Sequence, residues 1–308
     1  MKFDRRAPGG GIEVSCRLEN GRALLKWNLY LKEENISGAS IHLTLRDKDG
    51  GTALLCMQKT EEEEPMEAIL LHPHLWSCET PYLYEVEAVL RDREGGIADR
   101  LKCRIPLYEL QYSEGKGWQL NGEQISMRAV EYAVPESISP AERQRLVLND
   151  FRLLKELGAN CIHTSPSLWP LCEKLGFLIW DKEMTEKGEE EVPCLIGEGG
   201  SLLASLFYQY KAKWSKEPFV YIVPEKVHLL PSGNLEITVY SNCSRVVLYS
   251  GGTLFEFRSG EAEFIFREVP AKGPCIVLSA EGEECSMSLS LHKTFTKSSR
   301  NGDISCLE

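Results

Sequence analysis

The chain has 308 residues, which is enough for two or three domains that each bury a core of their own. Its net charge of −11 argues against a nucleic-acid partner, because phosphate binding calls for clustered lysine and arginine. No apolar run reaches the roughly 20 residues that span a bilayer, and no hydrophobic leader follows Met1. The eleven cysteines lack CxxC spacing, which favours reduced thiols in a cytoplasmic protein without a metal or other cofactor.

The N-terminal part, residues 1–110, has the pattern of an immunoglobulin-like β-sandwich. Short apolar runs predict strands at 12–18, 23–31, 41–45, 82–90 and 101–105. Turn-forming clusters rich in glycine, asparagine and aspartate separate these runs, and a helical period is absent. Several short strands with such punctuation are typical of a sandwich.

The middle part, residues 111–215, changes to alternating strands and helices. Ser139 as N-cap, Pro140 at the first helical position and Glu142 three residues after the cap predict a helix that stops at Gly158. A second helix is expected at 167–175 and a last one at 202–214, with strands at 124–130, 159–163, 177–180 and 192–196. The order of the first five elements, β-α-β-α-β, predicts parallel strands. A complete eight-stranded barrel needs about 250 residues, far more than this segment supplies.

Strand patterning returns in residues 216–296 and predicts a second sandwich. The expected strands lie at 219–223, 235–240, 246–249, 254–257, 264–266, 275–278 and 287–291. Residues 297–308 are expected to form a flexible tail.

Local motifs in the order of the chain resemble one family. Residues 75–84, from Leu75-Trp76 to Tyr84, are followed by Leu120-Asn121-Gly122, by Gly158-Ala159-Asn160 and by 171–177. The motifs at 209–214 and 239–249 continue the series. Together they resemble glycoside hydrolase family 2, which includes β-galactosidases and β-glucuronidases. The resemblance implies a multidomain α+β fold, with two immunoglobulin-like β-sandwiches flanking a truncated β/α segment, a partial TIM barrel.

The resemblance also implies where the catalytic residues should be. Retaining glycosidases use two carboxylates about 5–5.5 Å apart. In the family these are glutamates at the ends of the fourth and seventh barrel strands, the first preceded by asparagine. Those strands would fall between Met184 and residue 192, which is too little chain, and the sequence contains no Asn-Glu dipeptide.

Other carboxylates could replace the missing pair. Glu183 and Glu198 are the candidate catalytic residues, because they follow predicted strands where barrel active sites lie. The candidate ligand-binding residues, on the same argument, are Glu131, His163, Trp180 and Asp181. The simpler interpretation is that the acids are exposed loop residues and that the tryptophan is part of a core.

Three functions follow from these observations. The favoured one is a non-catalytic, carbohydrate-associated binding or scaffold protein that lacks both catalytic glutamates. The alternative is an active β-galactosidase-like hydrolase that uses replacement carboxylates or a site shared between subunits. The third is a purely structural or regulatory assembly.

The truncated segment also predicts a partner. Its apolar former barrel interior, with Ile125, Met127, Ile162 and Ile179 or their neighbours, must be covered by the sandwiches, by a second copy in a homo-oligomer or by another protein. The sequence admits a carbohydrate ligand, and no nucleic acid or membrane is expected as a partner.

Overall fold

A computed structural model of the chain describes residues 2–6, 8–32, 38–60, 65–134, 139–180, 192–195, 203–272, 275–294 and 303–306. The chain divides into two compact units. The first contains Met1–Ala129 with Asn160–Glu191, and the second contains Val130–Ala159 with Val192–Glu308. The middle segment of the sequence is therefore shared between the two units.

The first unit contains the N-terminal sandwich. Its strands are β1 (Ile12–Glu19), β2 (Arg22–Leu29), β3 (Ser40–Arg46), β4 (Thr52–Lys59), β5 (Met66–Leu71), β6 (Leu83–Arg91) and β7 (Ile97–Pro106). One sheet has the order β1-β2-β5 and the other the order β4-β3-β6-β7, with antiparallel neighbours throughout. Alternate residues of both sheets, including Trp27, Leu43 and Val86, fill the space between them.

The five strands predicted for this sandwich are confirmed, and two more are present that the sequence pattern did not indicate. In strand β4, exposed residues alternate with partly buried ones, and the exposed residues include Leu55, at 70%, and Met57, at 64%. The apolar residues of β4 therefore do not mark a buried face. Strand β5 ends in a continuous apolar run rather than an alternating one. Both therefore depend on pairing with their neighbours rather than on their own periodicity.

A small antiparallel sheet follows the sandwich. It consists of β8 (Leu110–Ser113), β9 (Gly117–Leu120) and β10 (Glu123–Gln124). The next strand, β11, covers only Ala129–Glu131. The prediction of one continuous strand over 124–130 is therefore wrong, since residues 125–128 form neither strand nor helix.

The first unit also holds a short parallel pair. Strand β12 (Cys161–His163) pairs in parallel with β13 (Leu178–Ile179). A 3₁₀ turn at Pro166–Leu168 and a helix, Trp169–Leu175, connect them and end at Gly176 with a left-handed φ of 78°. The predicted strand-helix-strand order is confirmed here, with the first turn of the predicted helix in 3₁₀ form.

Two helices belong to the second unit. Helix α1 (Pro140–Leu157) begins with the predicted capping box, in which Ser139 and Glu142 each bond the other's backbone N–H. Its buried face carries Val147, Phe151 and Leu154. The short helix Trp169–Leu175 of the first unit is called α2. The other helix of the second unit is α3 (Ala204–Trp214).

The C-terminal sandwich lies in the second unit. Its strands are β14 (Val220–Leu229), β15 (Leu235–Ser241), β16 (Arg245–Ser250), β17 (Thr253–Ser259), β18 (Ala262–Val269), β19 (Cys275–Glu281), β20 (Ser286–Thr294) and β21 (Asp303–Cys306). The sheet orders are β14-β15-β18 and β17-β16-β19-β20-β21. The first seven of these strands repeat the strand order of the N-terminal sandwich, and all seven predicted positions are confirmed.

The predicted flexible tail needs a correction. Residues 303–306 form strand β21, which pairs antiparallel with the end of β20 from Leu291 onward. The backbone of residues 303–306 bonds the edge of β20 that no other described strand covers. In the part of the chain that the structure describes, no helix is both long and apolar enough to cross a membrane.

Candidate functional site

Two predicted binding residues lie at the ends of neighbouring parallel strands. His163 ends β12 and is exposed, and Trp180 directly follows β13. The backbone N–H of Trp180 donates to the carbonyl of Ile162 at 2.9 Å, which continues the parallel ladder. The Trp180 side chain is only 6% exposed, so it serves as packing in this conformation rather than as an open stacking surface.

Glu131 lies in the second unit, at the exposed end of β11. Its backbone N–H donates to the carbonyl of Pro193 at 3.0 Å, and Glu131 forms a parallel bridge with Cys194. In the part of the predicted strand 192–196 that the structure describes, residues 192–195, only this isolated parallel bridge to β11 is present. Asp181, Glu183 and Glu198 lie outside the described residues.

The family-like motif around Asn121 builds a joint within the first unit. Asn121 has a left-handed φ of 54°, and its side-chain oxygen accepts the N–H of Glu109 at 3.0 Å. Its side-chain N–H donates to the carbonyl of Trp76 at 2.9 Å. The Trp76 indole in turn donates to the carbonyl of Glu173 on α2 at 2.7 Å, and its ring is fully buried. These residues connect the sandwich to α2, which explains their presence in the motif without any role in chemistry.

Asn160 provides a second joint of the same kind. Its buried side chain accepts the N–H of Arg128 at 2.8 Å and donates to the carbonyl of Ser126 at 2.9 Å. Its backbone N–H also donates to the carbonyl of Arg128. These bonds satisfy the carbonyl of Ser126 and both backbone polar groups of Arg128 in place of a strand partner, and we infer that this is why the predicted strand breaks there.

Glu173 is the carboxylate with the most unusual electrostatics in the first unit. Burial raises the pKa of Glu173 to about 7. Its charge also adds to the burial that raises the pKa of Cys103 to about 11. A carboxylate that titrates near neutrality is suited to acid or base catalysis. Here, however, it sits on a helix that packs on the sandwich strand β7, so we interpret the shift as a consequence of that packing.

Sequence reasoning missed the buried pair of Tyr132 and Asp150 in the second unit. The Tyr132 hydroxyl donates to the Asp150 carboxylate at 2.9 Å, and its ring packs edge-on against Phe151 with centroids 5.1 Å apart. Burial raises the pKa of Asp150, while the bond from Tyr132 opposes that rise. A polar residue, Asp150, at the helical spacing of an apolar face was the available signal in the sequence.

The described residues contain no group of three or more His, Cys, Asp or Glu side chains arranged to hold a metal ion. Among the described residues of the N-terminal sandwich, two cavities can be compared with the predicted site. The larger, about 410 Å³, is lined by side chains such as Trp27, Gln58 and Lys59, and no carboxylate is among its described lining residues. The smaller, about 240 Å³, includes Asp47 and Glu85 among several basic residues. Neither is lined by the predicted site residues.

The fold of the chain is similar to that of solved glycosidase structures. The chain superposes on an FMN-binding β-glucuronidase from Faecalibacterium prausnitzii L2-6 with a TM-score of 0.73, covering 96% of this chain and 76% of that one at 15% identity. A β-glycosidase from Bacteroides vulgatus gives a TM-score of 0.71, with 92% and 66% covered at 11% identity. At such low identities the likeness establishes the fold alone.

Sequence comparison finds a family match for the N-terminal part of the chain. Residues 11–105, which are the N-terminal sandwich, match the model of glycosyl hydrolases family 2. Beta-galactosidase BoGH2A of Bacteroides ovatus is 28% identical over 188 residues, which are 56% of this chain and 22% of that protein. The N-terminal sandwich is therefore similar to glycoside hydrolase family 2, as the motifs of the chain indicate, and the chain spans about a fifth of the length of such relatives.

Proposed function

We propose that this protein lacks the barrel strands that carry both catalytic glutamates in its relatives. Without them, it acts as a non-catalytic, carbohydrate-associated binding or scaffold protein. Its β/α segment is a partial TIM barrel, formed by the first three strands and the last one.

One observation carries this proposal. The segment at residues 192–195 lies parallel to β11, where the last strand of a barrel would lie beside the first. Only the twelve residues 180–191 separate it from the end of the third strand, β13. A strand-helix-strand unit takes about 30 residues, so four further strands with their helices cannot fit.

The helix packing supports the same arrangement. In a closed barrel the first and last helices are neighbours. Here the C-terminal end of α1 at Gly158 lies against the end of α3, because a Cβ at Gly158 would be 2.6 Å from the carbonyl oxygen of Trp214. The elements on either side of the missing part therefore meet as the two ends of a barrel do.

The surviving motifs support a structural rather than a catalytic role. Asn121, Trp76 and Asn160 hold elements of the first unit together through backbone hydrogen bonds. The strand-end residues that would contact substrate in the family differ, as at Glu131 and His163. Hydrolysis with retention needs two opposed carboxylates in one site, and fold alone does not supply them.

A covering partner remains part of the proposal. Ile162 is fully buried within its own chain, whereas Ile125, Met127 and Ile179 are partly exposed. We expect a second copy of the chain or another protein to cover this remaining apolar surface. Light scattering of the purified chain after size exclusion tests self-association, and a strictly monomeric species would leave a different protein as the partner.

An activity panel tests the proposal. The chain should release no 4-nitrophenol above the blank from β-galactosides or β-glucuronides, the substrate classes that the relatives' names indicate. Turnover that disappears in Glu183→Gln or Glu198→Gln but persists in Glu189→Gln would instead establish the replacement-carboxylate hydrolase.

Sugar binding is tested separately by thermal unfolding. A carbohydrate-associated protein should show a melting temperature that rises with galactoside or glucuronide concentration, since a ligand of the folded state stabilises it. A flat response to every sugar would reduce the proposal to a scaffold that does not bind carbohydrate.

A further inference from the structure

Two cysteines of the C-terminal sandwich lie side by side. Cys243 is in the turn between β15 and β16, and Cys285 is in the turn between β19 and β20. Their sulfur atoms are 3.5 Å apart. Cys243 is 4% exposed, whereas Cys285 is partly open to solvent.

The two turns are held against each other by further contacts. Ser244 follows Cys243 in the first turn, and its hydroxyl donates to the carboxylate of Glu283 in the second turn. Within the second turn, the N–H of Gly282 donates to the carbonyl of Cys285 at 2.8 Å. The register of the turns is thus fixed independently of the cysteines, so the short sulfur distance is a built feature of the fold.

Gly282 leaves the space that the sulfur atoms occupy. A Cβ at this position would lie 2.6 Å from the sulfur of Cys243 and 2.8 Å from that of Cys285. Real side chains do not approach so closely, so any larger residue would displace one of the two thiols.

We propose that Cys243 and Cys285 form a dithiol modification site, which a small-molecule disulfide such as oxidised glutathione converts to an intramolecular disulfide. The more accessible Cys285 thiolate attacks one sulfur of the reagent, forms a mixed disulfide and releases one thiolate. The Cys243 thiolate then attacks the sulfur of Cys285 and releases the second. Two protein thiols and one small disulfide become one protein disulfide and two small thiols, which take up the two protons.

The geometry permits this reaction with little movement. Sulfur atoms in a disulfide are about 2.05 Å apart, so the pair must close by about 1.5 Å from its present 3.5 Å. Rotation of the two cysteine side chains, which lie in turns between strands, can supply such a displacement.

The disulfide would reinforce the attachment of α3 to the sandwich. Beside Cys243, the Asn242 side chain accepts the N–H of Phe219 at 3.0 Å and donates to the carbonyls of Ser215 and Glu217 at 3.0 and 2.9 Å. These bonds hold the segment between α3 and β14. Joining this turn to Cys285, 42 positions away in sequence, restricts the unfolded chain and so stabilises the folded one.

The reaction should be slow at neutral pH and faster in alkali. Burial, assisted by the neighbouring Cys243, raises the pKa of Cys285 to about 11. Since the thiolate is the attacking species, the initial rate should rise roughly tenfold per pH unit between about pH 7 and 10.

Peptide mapping of the full chain tests the proposal. The reduced protein is treated with oxidised glutathione at pH 7, 8 and 9, blocked with N-ethylmaleimide and digested without reductant. We expect a cross-linked peptide pair that contains Cys243 and Cys285, formed faster at each higher pH, and a melting temperature higher by several degrees. Separate glutathione adducts on the two cysteines, or alkylated thiols at every pH in a folded protein, would overturn it.

Variants separate the pair from the other thiols. Cys243→Ser should stop at a mixed disulfide on Cys285, whereas Cys16→Ser, in the N-terminal sandwich, should cross-link as the unchanged protein does. Phenylarsine oxide, which bridges two close thiols, gives a second readout on the unmodified chain. It should bind once across the pair, and its absence from that peptide would count against the site even if a serine variant failed to fold.

Discussion

Gly158 shows how a single residue of a family-like motif can be required for packing. It ends α1 with a φ of 94°, a conformation that side-chain-bearing residues rarely adopt. A Cβ there would also lie 2.6 Å from the carbonyl oxygen of Trp214. Both backbone strain and a backbone clash therefore oppose any substitution.

We expect Gly158→Ala to lower the free energy of unfolding by about 2–4 kcal/mol, because strain and clash add. Gly233→Ala is the matched control, since Gly233 has a φ of 81° but nothing within 4 Å of the added Cβ. The control should cost only about 1 kcal/mol, from the backbone term alone. Equal losses in urea denaturation would show that the contact with Trp214 contributes nothing.

Glu173 gives a pH-dependent prediction at the same scale. Its folded-state pKa of about 7 lies above the ordinary value of 4.5, so burial disfavours the ionised form. The cost to folding is absent below about pH 4.5, grows as the pH rises and is complete above about pH 7. Because the folded-state pKa of about 7 exceeds the ordinary 4.5, the upper bound of this cost to folding is ~3 kcal/mol.

Glu173→Gln should therefore raise the free energy of unfolding by about 1–3 kcal/mol at pH 8 and leave it nearly unchanged at pH 5. Glu79→Gln, which changes an exposed glutamate of the same unit, should have no effect at either pH. A Glu173→Gln effect that is equal at both pH values would mean that the charge of Glu173 is not the cause.

At the scale of elements, α1 is the part most completely predicted by sequence. Its N-cap serine, first proline and terminal glycine are signals within the helix's own sequence, and the hydrogen bonds they make are local.

Ser139→Ala should lower the free energy of unfolding by about 1 kcal/mol, because the N–H of Glu142 loses its acceptor. Ser165→Ala removes an N-cap serine whose side chain makes no capping bond and should cost less than about 0.5 kcal/mol. Similar losses in thermal unfolding would contradict a specific capping role.

The elements that sequence missed depend on distant partners. Residues 125–128 have the apolar content of a strand, yet the side chain of Asn160 bonds the carbonyl of Ser126 and the N–H of Arg128. Strand β4 faces solvent with residues that usually mark a core, such as Leu55. Periodicity reports which face is buried, and it cannot report which distant side chain replaces a ladder partner.

The candidate site was predictable to a smaller extent than the fold. The strand end at His163 agrees with the predicted strand 159–163, whereas β11 ends at Glu131, one residue beyond the strand predicted over 124–130. That Trp180 packs inside, and that Tyr132 bonds Asp150, depend on side-chain packing in three dimensions. The Cys243–Cys285 pair joins turns 42 positions apart and has no local signature.

At the scale of the whole molecule, both sandwiches have the same order of their first seven strands, although the sequence shows no clear repeat. Between them in the sequence lies the β/α segment that we propose to be the two ends of a barrel. The central claim is that this chain has no catalytic pair of its own. This claim predicts that the chain does not hydrolyse glycosides, although its fold is similar to that of solved glycosidases.

Covalent labelling tests that claim most directly. A cyclophellitol-type aziridine, the class of reagent bound covalently to a Bacteroides uniformis β-glucuronidase 2, carries a strained ring that a positioned carboxylate can open. After incubation with the folded chain, intact mass spectrometry should show an unchanged mass. A stoichiometric adduct that maps to one glutamate or aspartate, and that is absent from the denatured chain, would contradict the account.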